Sequence, residues 1–335
     1  MFRTKGLLVI AFVFCINVGS QQGFAQQDLR LRANAIFGPI PEAMPNSEDD
    51  TLEKIRLGER LYFENALSVN RTQSCNTCHN ILDGGAGTDK LKTAIGALGT
   101  IGKRNTPSTW NAGFQTSQNW DGSAKTLAEQ AKSPILNKQE MALGSEKEAV
   151  KRLRRAGYKK EFKAAFPEQA RALNYENIVQ ALAAFQRTLI TQDRFDDYLN
   201  GDDTALSAQE QRGLELVLNK GCISCHSGPL MGGRFLMKMG LVNPYPNVDD
   251  KGVADVTKNK AQEFFFKVPG LRNTAQTAPF FHDGAGETLE QAVFDTGFLQ
   301  LGIRLNDKEV ADISSFLRAL DNTRSFERGY KVDEN

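Results

Sequence analysis

The chain has 335 residues, which is long for one domain and comfortable for two of roughly 100 to 200 residues each. Lysine and arginine total 41, and aspartate and glutamate total 40. A chain with so small a net charge has no global field that attracts nucleic acid or an anionic membrane, so neither is an expected partner.

The first 25 residues have the pattern of an export signal. Arg3 and Lys5 precede an apolar run from Leu7 to Val18, and small residues lead to Ala25. The run is shorter than the roughly 20 apolar residues that a membrane-spanning helix needs. The segment therefore predicts a signal peptide cleaved after Ala25, with no membrane span in the mature protein.

Two short motifs contain all four cysteines that remain after this cleavage. "SCNTCHN" occupies residues 74–80, and "GCISCHS" occupies residues 221–227. Disulfides would be usual in an exported chain, but they do not require a histidine directly after each Cys-x-x-Cys pair. Covalent haem c does, because the cysteines bond to the haem and the histidine binds the iron. Zinc is disfavoured because the chain has only 3 histidines.

The sequence therefore predicts two covalently bound haem c groups. The predicted attachment residues and iron ligands are Cys75, Cys78 and His79 for the first haem, and Cys222, Cys225 and His226 for the second.

Predicted helices flank both motifs. An amphipathic pattern precedes each motif, and the second of these patterns opens with Ser207 and Glu210, which are typical of a capping box. Further helical periodicity follows about a hundred residues after each motif, over residues 176–190 and 306–320. Strand-like alternation is sparse. Both halves are therefore predicted to be mainly helical, with long loops that pack on haem.

The loops of the two halves also resemble each other. Residues 103–131 and 270–293 share Arg-Asn-Thr, then Asp-Gly, then Thr-Leu. The Asp-Gly and Thr-Leu pairs correspond at one offset of 162 positions, so that Asp121 matches Asp283. This agreement in order and spacing indicates an internal duplication.

A polar segment lies between the two halves. Residues 191–209 contain Gly201 and few large apolar side chains, and they are predicted to connect two domains. The alternative is an ordinary surface loop within one domain.

With its two haem motifs, its repeat and "TAPFFHDG" at residues 277–284, the sequence resembles the bacterial di-haem cytochrome c peroxidases and their MauG-type relatives. The similarity runs from about Ile40 to Leu320. It implies two tandem cytochrome c-like domains that face each other across a calcium site, in the periplasm, and it allows a homodimer. The implied limits are 26–195 for a peroxidatic domain and 196–335 for an electron-transfer domain, whose last residues can pack back on the first.

The resemblance also assigns roles to single residues. Gln130 and Glu140 match the glutamine and glutamate above the peroxide-binding iron, and Trp120 matches a tryptophan that lies between the haems. Calcium favours neutral oxygen ligands of the kind found at the family's calcium site. The matching calcium-site positions are Asn105, Thr277 and Pro279.

The glutamate assignment has an independent chemical reason. Cleavage of peroxide needs a proton to leave its inner oxygen and a proton to reach its outer oxygen, and a carboxylate can relay it. By itself, Glu140 would be interpreted as a solvated loop residue, Gln130 as a surface helix residue and Trp120 as a packed core aromatic. The match to the family motif favours the functional roles of these residues over the structural ones.

One departure from the family concerns the first haem. Typical members carry a further histidine, about twenty residues past the first motif, that caps the resting iron. Here that loop reads "TAIGALGTIGKRN", and no histidine occurs between His79 and His226. The sequence therefore predicts a first haem that is open on its distal side and meets peroxide without prior reduction.

A second departure concerns the sixth ligand of the C-terminal haem. In the family it is methionine or tyrosine, fourteen residues after the histidine of "FHDG", and here that position is Thr296. The repeat offset pairs Thr296 with Pro134, which has no side-chain donor. Threonine is a poor iron ligand, so the ligand stays open between water and several side chains. These are His282, Met231, Met237 and Met239.

Three functions follow from these observations. The first is a periplasmic peroxidase that reduces hydrogen peroxide to water with electrons from a small cytochrome c or cupredoxin. The second is a MauG-like enzyme that oxidises a residue of another protein. The third is a di-haem cytochrome that only transfers electrons, against which Gln130, Glu140 and the missing capping histidine argue.

Overall fold

The computed structural model describes residues 18–82 and 84–329, with side chains from residue 26 onward. The predicted signal peptide lies for the most part outside these residues. Helices dominate the described chain, as the sequence predicts, and none of them is long and apolar enough to cross a membrane. In chain order they are α1 (Val18–Ile36), α2 (Leu52–Tyr62), α3 (Cys75–Cys78), α4 (Leu127–Leu136), α5 (Glu146–Arg155), α6 (Lys159–Ala165), α7 (Tyr175–Gln186), α8 (Arg194–Leu199), α9 (Ala208–Asn219), α10 (Val253–Thr257), α11 (Leu289–Leu301) and α12 (Asp307–Ala319).

Two short strands complete the regular structure. β1 (Leu236–Lys238) and β2 (Phe265–Lys267) pair antiparallel, with Met237 opposite Phe266.

The first hydrophobic core surrounds the crossing of α2 and α7. Leu61 on α2 and Leu182 and Phe185 on α7 are almost completely buried there. Each such side chain contributes about 1.5 to 3 kcal/mol by leaving water. The helical periodicity predicted before the first motif and after it therefore produces one packed pair of helices.

The second core repeats this arrangement with α9 and α12. Leu214 and Phe316 are fully buried between the two helices. The capping box predicted at the start of α9 is confirmed, because the Ser207 hydroxyl accepts the Glu210 N–H at 3.3 Å and the Glu210 carboxylate accepts the Ser207 N–H at 2.7 Å. The first turn of this helix is thereby satisfied.

A glycine lies at the crossing point of each helix pair. A Cβ atom on Gly58 would lie 1.9 Å from the Ala181 carbonyl oxygen, and one on Gly213 would lie 2.0 Å from the Asp312 carbonyl oxygen. Both contacts are far shorter than van der Waals separation, so any side chain would force the helices apart. The same close approach in both halves shows that the duplication extends to the packing.

The loop repeat is also structural. Isolated bridges join Gln118 to Ala124 and Phe280 to Gly286, at the predicted offset of 162 positions. The helices that follow begin in register as well, with Thr126 capping α4 and Thr288 capping α11. Thr296 and Pro134 therefore occupy the same position in equivalent helices.

One part of the predicted repeat is out of register. The Arg-Asn-Thr match pairs Asn105 with Asn273 at an offset of 168, whereas the structural counterpart of Asn273 is Asn111, at 162. Both Asn111 and Asn273 have φ near 60° and open a short 3₁₀ turn. Asparagine tolerates this left-handed conformation, which explains why it occupies this position in both repeats although the neighbouring residues differ.

The polar segment between the halves is more ordered than its composition indicates. It contains α8, whose Phe195 is fully buried in the second core. The buried Arg272 guanidinium donates to Asp193 at 2.5 Å and to Asp196 at 2.8 Å. Because a buried charge needs such partners, the segment is fixed to the second half and is not a free linker.

Each end of the described chain packs on the core of the opposite half. Phe37, at the end of the N-terminal segment, is buried in the second core. Phe326, near the C-terminus, packs on Phe63 and Phe185 of the first core, and the Gly329 N–H donates to Glu59 at 2.6 Å. The domain limits 26–195 and 196–335 remain a prediction.

We predict that Gly58→Ala and Gly213→Ala each destabilise the protein by about 1 to 3 kcal/mol or more, because each added methyl group meets a backbone carbonyl that cannot move freely. The measurement is the unfolding midpoint of the haem-loaded protein. Gly144→Ala is the matched control, because a Cβ atom there meets nothing within 4 Å. Equal midpoints for all three variants would contradict the crossing argument.

Candidate haem sites

The first motif presents an oriented histidine. His79 Nδ1 lies 3.0 Å from the Pro107 carbonyl oxygen and 3.3 Å from that of Gly87. Nδ1 is thereby held as the donor, which leaves Nε2 for a metal, the usual arrangement of a metal-binding histidine. Burial lowers the pKa of His79, so the ring is neutral and able to bind iron.

The second motif is built in the same way. His226 Nδ1 lies 2.8 Å from the Met231 carbonyl oxygen and also bonds to the Pro269 carbonyl. Burial lowers the pKa of this histidine too. Pro107 and Pro269 are separated by the repeat offset, so equivalent carbonyls orient the two histidines. Both motifs therefore fit an axial iron ligand.

The four described cysteines form no disulfide with one another. Burial raises the pKa of Cys75 to about 12 and that of Cys78 to about 11. The carboxylates of Asp89 and Glu140 also raise the pKa of Cys78. Such an effect needs proximity, so Glu140 lies near the first haem motif.

Glu140 follows the end of α4 in a half-buried turn. Its Oε1 accepts a hydrogen bond from the Asn137 side-chain amide at 2.6 Å. Burial raises the pKa of Glu140, although the bond from Asn137 opposes this. Gln130 lies on α4 itself and is half-buried as well.

The loop that replaces the family's histidine-bearing segment packs on Glu140. A bridge between Ile95 and Ile101 closes it, and the Ala97 N–H donates to the Glu140 carbonyl at 2.7 Å. A Cβ atom on Gly96 would lie 2.1 Å from the Gln139 carbonyl oxygen. The loop thus fixes the backbone of the glutamate and offers no imidazole.

A cavity of about 290 Å³ adjoins the second motif. Its walls combine both halves of the chain, so the structure brings many of the predicted residues together there. Those lining it are Asn105, Trp120, Cys222, Cys225, His226, Met237, Met239, Thr277, Pro279, His282 and Thr296. The predicted residues that do not line it are Cys75, Cys78, His79, Gln130, Glu140, Pro134 and Met231.

The two halves meet at equivalent residues. Trp120 and His282 are separated by 162 positions, and their rings contact each other edge to face with centroids 6.4 Å apart. The Asn105 N–H donates to the His282 carbonyl at 2.8 Å, and the Lys267 N–H donates to the Trp120 carbonyl at 2.7 Å. Asn105 and Lys267 are also separated by 162 positions. The contact therefore has an approximate two-fold axis.

His282 is held by rings on several sides. It stacks on Phe266 with centroids 3.9 Å apart and lies against Trp120 and Tyr245. Its Nε2 is buried without a protein partner among the described residues. A buried polar atom of this kind needs a hydrogen bond, which a bound group or water would supply.

Two charged groups at this contact were not singled out from the sequence. Arg104 bonds to Asp121 and to Asp250 of the other half, each at 2.6 Å. Lys267 is buried against Gln115 and the Ser117 carbonyl, and burial lowers its pKa to about 8. The repeat offset would have identified Lys267 as the counterpart of Asn105, but no motif or periodicity around Asp250 marks that residue.

Comparison with known proteins identifies the family of this chain. The model of a family described as di-haem cytochrome c peroxidase matches residues 52–204. The chain is 40% identical over 313 residues to the cytochrome c551 peroxidase of Pseudomonas aeruginosa, covering 88% of this chain and 87% of that protein. It is 32% identical to the methylamine utilization protein MauG of Methylorubrum extorquens, covering 90% and 86%.

A solved structure extends the similarity to the fold. A MauG-like protein associated with microbial copper homeostasis is 30% identical and superposes with a TM-score of 0.75, covering 85% of this chain and 94% of that one. The family description implies two haem c groups. From the match to the peroxidases over most of both chains, we conclude that the protein belongs to the di-haem cytochrome c peroxidase family of oxidoreductases.

Proposed function

We propose that the protein is exported to the periplasm and reduces hydrogen peroxide to water with electrons from a small cytochrome c or cupredoxin. Haem c bound covalently at the two motifs would supply the iron that reacts with peroxide and the iron that stores electrons. The observation that carries the proposal is Glu140, a half-buried carboxylate beside the first motif whose pKa is raised by burial.

Glu140 would move the proton that peroxide cleavage requires. As the carboxylate it accepts the proton from the inner oxygen, and it then donates this proton to the outer oxygen, which leaves as water. Asn137 holds Oε1 in place at 2.6 Å, so the carboxyl group is already oriented. Gln130, half-buried on α4, would bind the reacting oxygens by hydrogen bonds.

In this proposal, peroxide can reach the distal side of the first haem directly. The loop that packs on Glu140 carries no histidine, and Pro134 occupies the helix position equivalent to Thr296. Neither can cap an iron. Peroxide would therefore reach the first haem without a preceding change in the loop.

Trp120 would connect the two sites. Its indole contacts the His282 ring, and its Nε1 donates to the Asn105 carbonyl at 2.9 Å. It lines the cavity of the second motif and belongs to the first half of the chain. An oxidisable ring at this contact suits electron transfer between the halves.

A calcium ion would fit beside this contact. The Asn105 amide nitrogen donates to the Leu91 carbonyl at 2.9 Å, which leaves the amide oxygen available as a ligand. Thr277 and Pro279 line the same cavity and offer backbone carbonyls. Calcium accepts such neutral ligands together with water. No group of three acidic, cysteine or histidine side chains suited to a metal occurs among the described residues.

The MauG-like alternative is favoured by one observation, since Thr296 replaces the methionine of ordinary peroxidases. The absence of the MauG-type tyrosine at this position counts against it. A search for oxidised residues on proteins that co-purify with the enzyme, run beside steady-state assays with a reduced cytochrome, would separate the two activities.

We predict that Glu140→Gln slows peroxide turnover by more than about tenfold while both haems stay attached, because glutamine cannot relay a proton. The measurement is steady-state oxidation of a reduced cytochrome. Glu146→Gln, at an exposed glutamate on α5, is the matched control and should keep full activity. Turnover that is equal in both variants would remove Glu140 from this role.

The pH profile of kcat/KM for peroxide gives a second measurement on the same variant. Glu140 must be ionised to accept a proton, so the rate rises with pH through its pKa. Burial raises this pKa, so the rise should lie above the value of about 4.3 usual for an exposed glutamate. In Glu140→Gln, kcat/KM should no longer rise with pH in this range.

We predict that the ferric protein contains one high-spin haem, whose absorption changes at once when peroxide is added without a reductant. The reason is that no described side chain of the 94–102 loop can cap the first iron. Optical and electron paramagnetic resonance (EPR) spectra measure this directly. Two low-spin haems indifferent to peroxide would instead support the electron-transfer cytochrome.

We predict that His282→Gln leaves the spin state and absorption bands of the C-terminal haem unchanged, because Phe266, Trp120 and Tyr245 hold the ring in a packed position. Met237→Leu and Met239→Leu are the comparison variants, because these thioethers line the cavity that contains Thr296. A change of spin state in His282→Gln alone would identify histidine as the ligand.

A further inference from the structure

Tyr245 lies between the contact of the two halves and the surface. Its ring centroid is 5.4 Å from that of His282 and 5.8 Å from that of Phe281. His282 is buried, whereas Tyr245 is half-buried and is flanked by the exposed Pro244 and Pro246. The phenol is therefore a half-buried ring of the aromatic cluster that begins at Trp120, and exposed residues flank it in the chain.

The cluster is also connected through hydrogen bonds. Trp120 Nε1 donates to the Asn105 carbonyl at 2.9 Å, and the Asn105 N–H donates to the His282 carbonyl at 2.8 Å. The next residue, Asp283, accepts a hydrogen bond from the Tyr245 hydroxyl at 2.8 Å. Ring contacts and hydrogen bonds thus follow parallel routes from the indole to the phenol.

Asp283 is suited to receive the phenolic proton. A phenol that loses an electron becomes a strong acid, so oxidation is easier when a base already accepts its hydrogen bond. Asn247 donates to the second oxygen of Asp283 at 2.8 Å. Burial opposes ionisation, but the hydrogen bonds from Asn247 and Tyr245 lower the pKa of Asp283, which is therefore a carboxylate at neutral pH.

The other described tyrosines lack this combination. Tyr158 also bonds to a carboxylate, that of Glu64 at 2.7 Å, but it lies in the first core beside Arg60. Tyr62, Tyr175 and Tyr198 each donate to a backbone carbonyl. Among the tyrosines that the structure describes, Tyr245 alone joins a carboxylate acceptor to a ring contact with the Trp120 cluster.

We propose that Tyr245 is a redox-active residue that supplies one electron to the peroxide-oxidised protein when no reduced donor protein is bound. The electron would pass by way of His282 and Trp120 to a bound haem that peroxide has oxidised, and it would remove one of the two oxidising equivalents that peroxide supplies. The phenolic proton passes to Asp283, so a neutral tyrosyl radical remains. One electron from an external reductant, with return of the proton, restores the phenol. The inference rests on the proposed function, because peroxide is the oxidant.

The experiment uses the haem-loaded protein, expressed with ring-deuterated tyrosine and mixed with hydrogen peroxide in the absence of a donor. Rapid-freeze EPR detects radicals, and absorption spectra recorded in parallel report the haems. Tyr245→Phe removes the hydroxyl and retains the ring packing. Tyr158→Phe is the matched control, because among the described tyrosines it removes the other hydroxyl that bonds to a carboxylate.

The expected result is a tyrosyl signal that narrows on deuteration, is lost in Tyr245→Phe and persists in Tyr158→Phe. A tyrosyl signal of equal intensity in Tyr245→Phe overturns the inference, and so does the absence of any tyrosyl signal while the haem bands respond to peroxide. Haem bands that do not respond to peroxide overturn the proposed function itself, and the absorption spectra distinguish that failure from the other two.

Discussion

The reciprocal contact between Trp120 and His282 is the constraint on which the rest of the structure depends. Each residue lies at the same position of its repeat, and each offers its carbonyl to a backbone N–H of the opposite half. Asn105, His282 and Lys267 are buried and Trp120 is half-buried, and each hydrogen bond of this kind contributes about 0.5 to 1.5 kcal/mol to stability. Arg104, bonded to carboxylates of both halves, reinforces the same contact.

A duplicated frame with different side chains explains how one chain can hold two unlike sites. The frame repeats the helix crossing, the asparagine turn and the carbonyl that orients the histidine of each motif. The side chains at equivalent positions then differ, with tryptophan against histidine at the contact and proline against threonine on the following helix. A few side-chain substitutions are therefore enough to make the two sites different, because the repeated backbone already positions the side chains.

The sequence predicted most of the frame because its signals are local. Helical periodicity marked α2, α7, α9 and α12, and the capping box located the start of α9. The Arg-Asn-Thr alignment failed because identical letters at residues 104–106 and 272–274 do not share a backbone conformation. Helix α8 was not predicted, because it lies in the polar segment and its buried Phe195 packs against residues that are distant in sequence.

The candidate sites were predictable to a similar degree. The Cys-x-x-Cys-His motifs are contiguous, so their residues could be named directly, and the repeat offset linked Asp121 with Asp283 and Pro134 with Thr296. Asp250, Asn247 and Tyr245 lie in a stretch with no periodicity or motif, and their importance arises from folding this stretch against the contact. The burial that raises the pKa of Glu140 is likewise a tertiary property.

The exchange of chain ends has a consequence for biogenesis. Phe37 belongs to the second core, and Phe326 belongs to the first. The first half can therefore complete its packing only after the last residues have been synthesised. Until the C-terminal segment packs on Phe63 and Phe185, the first half lacks part of its core.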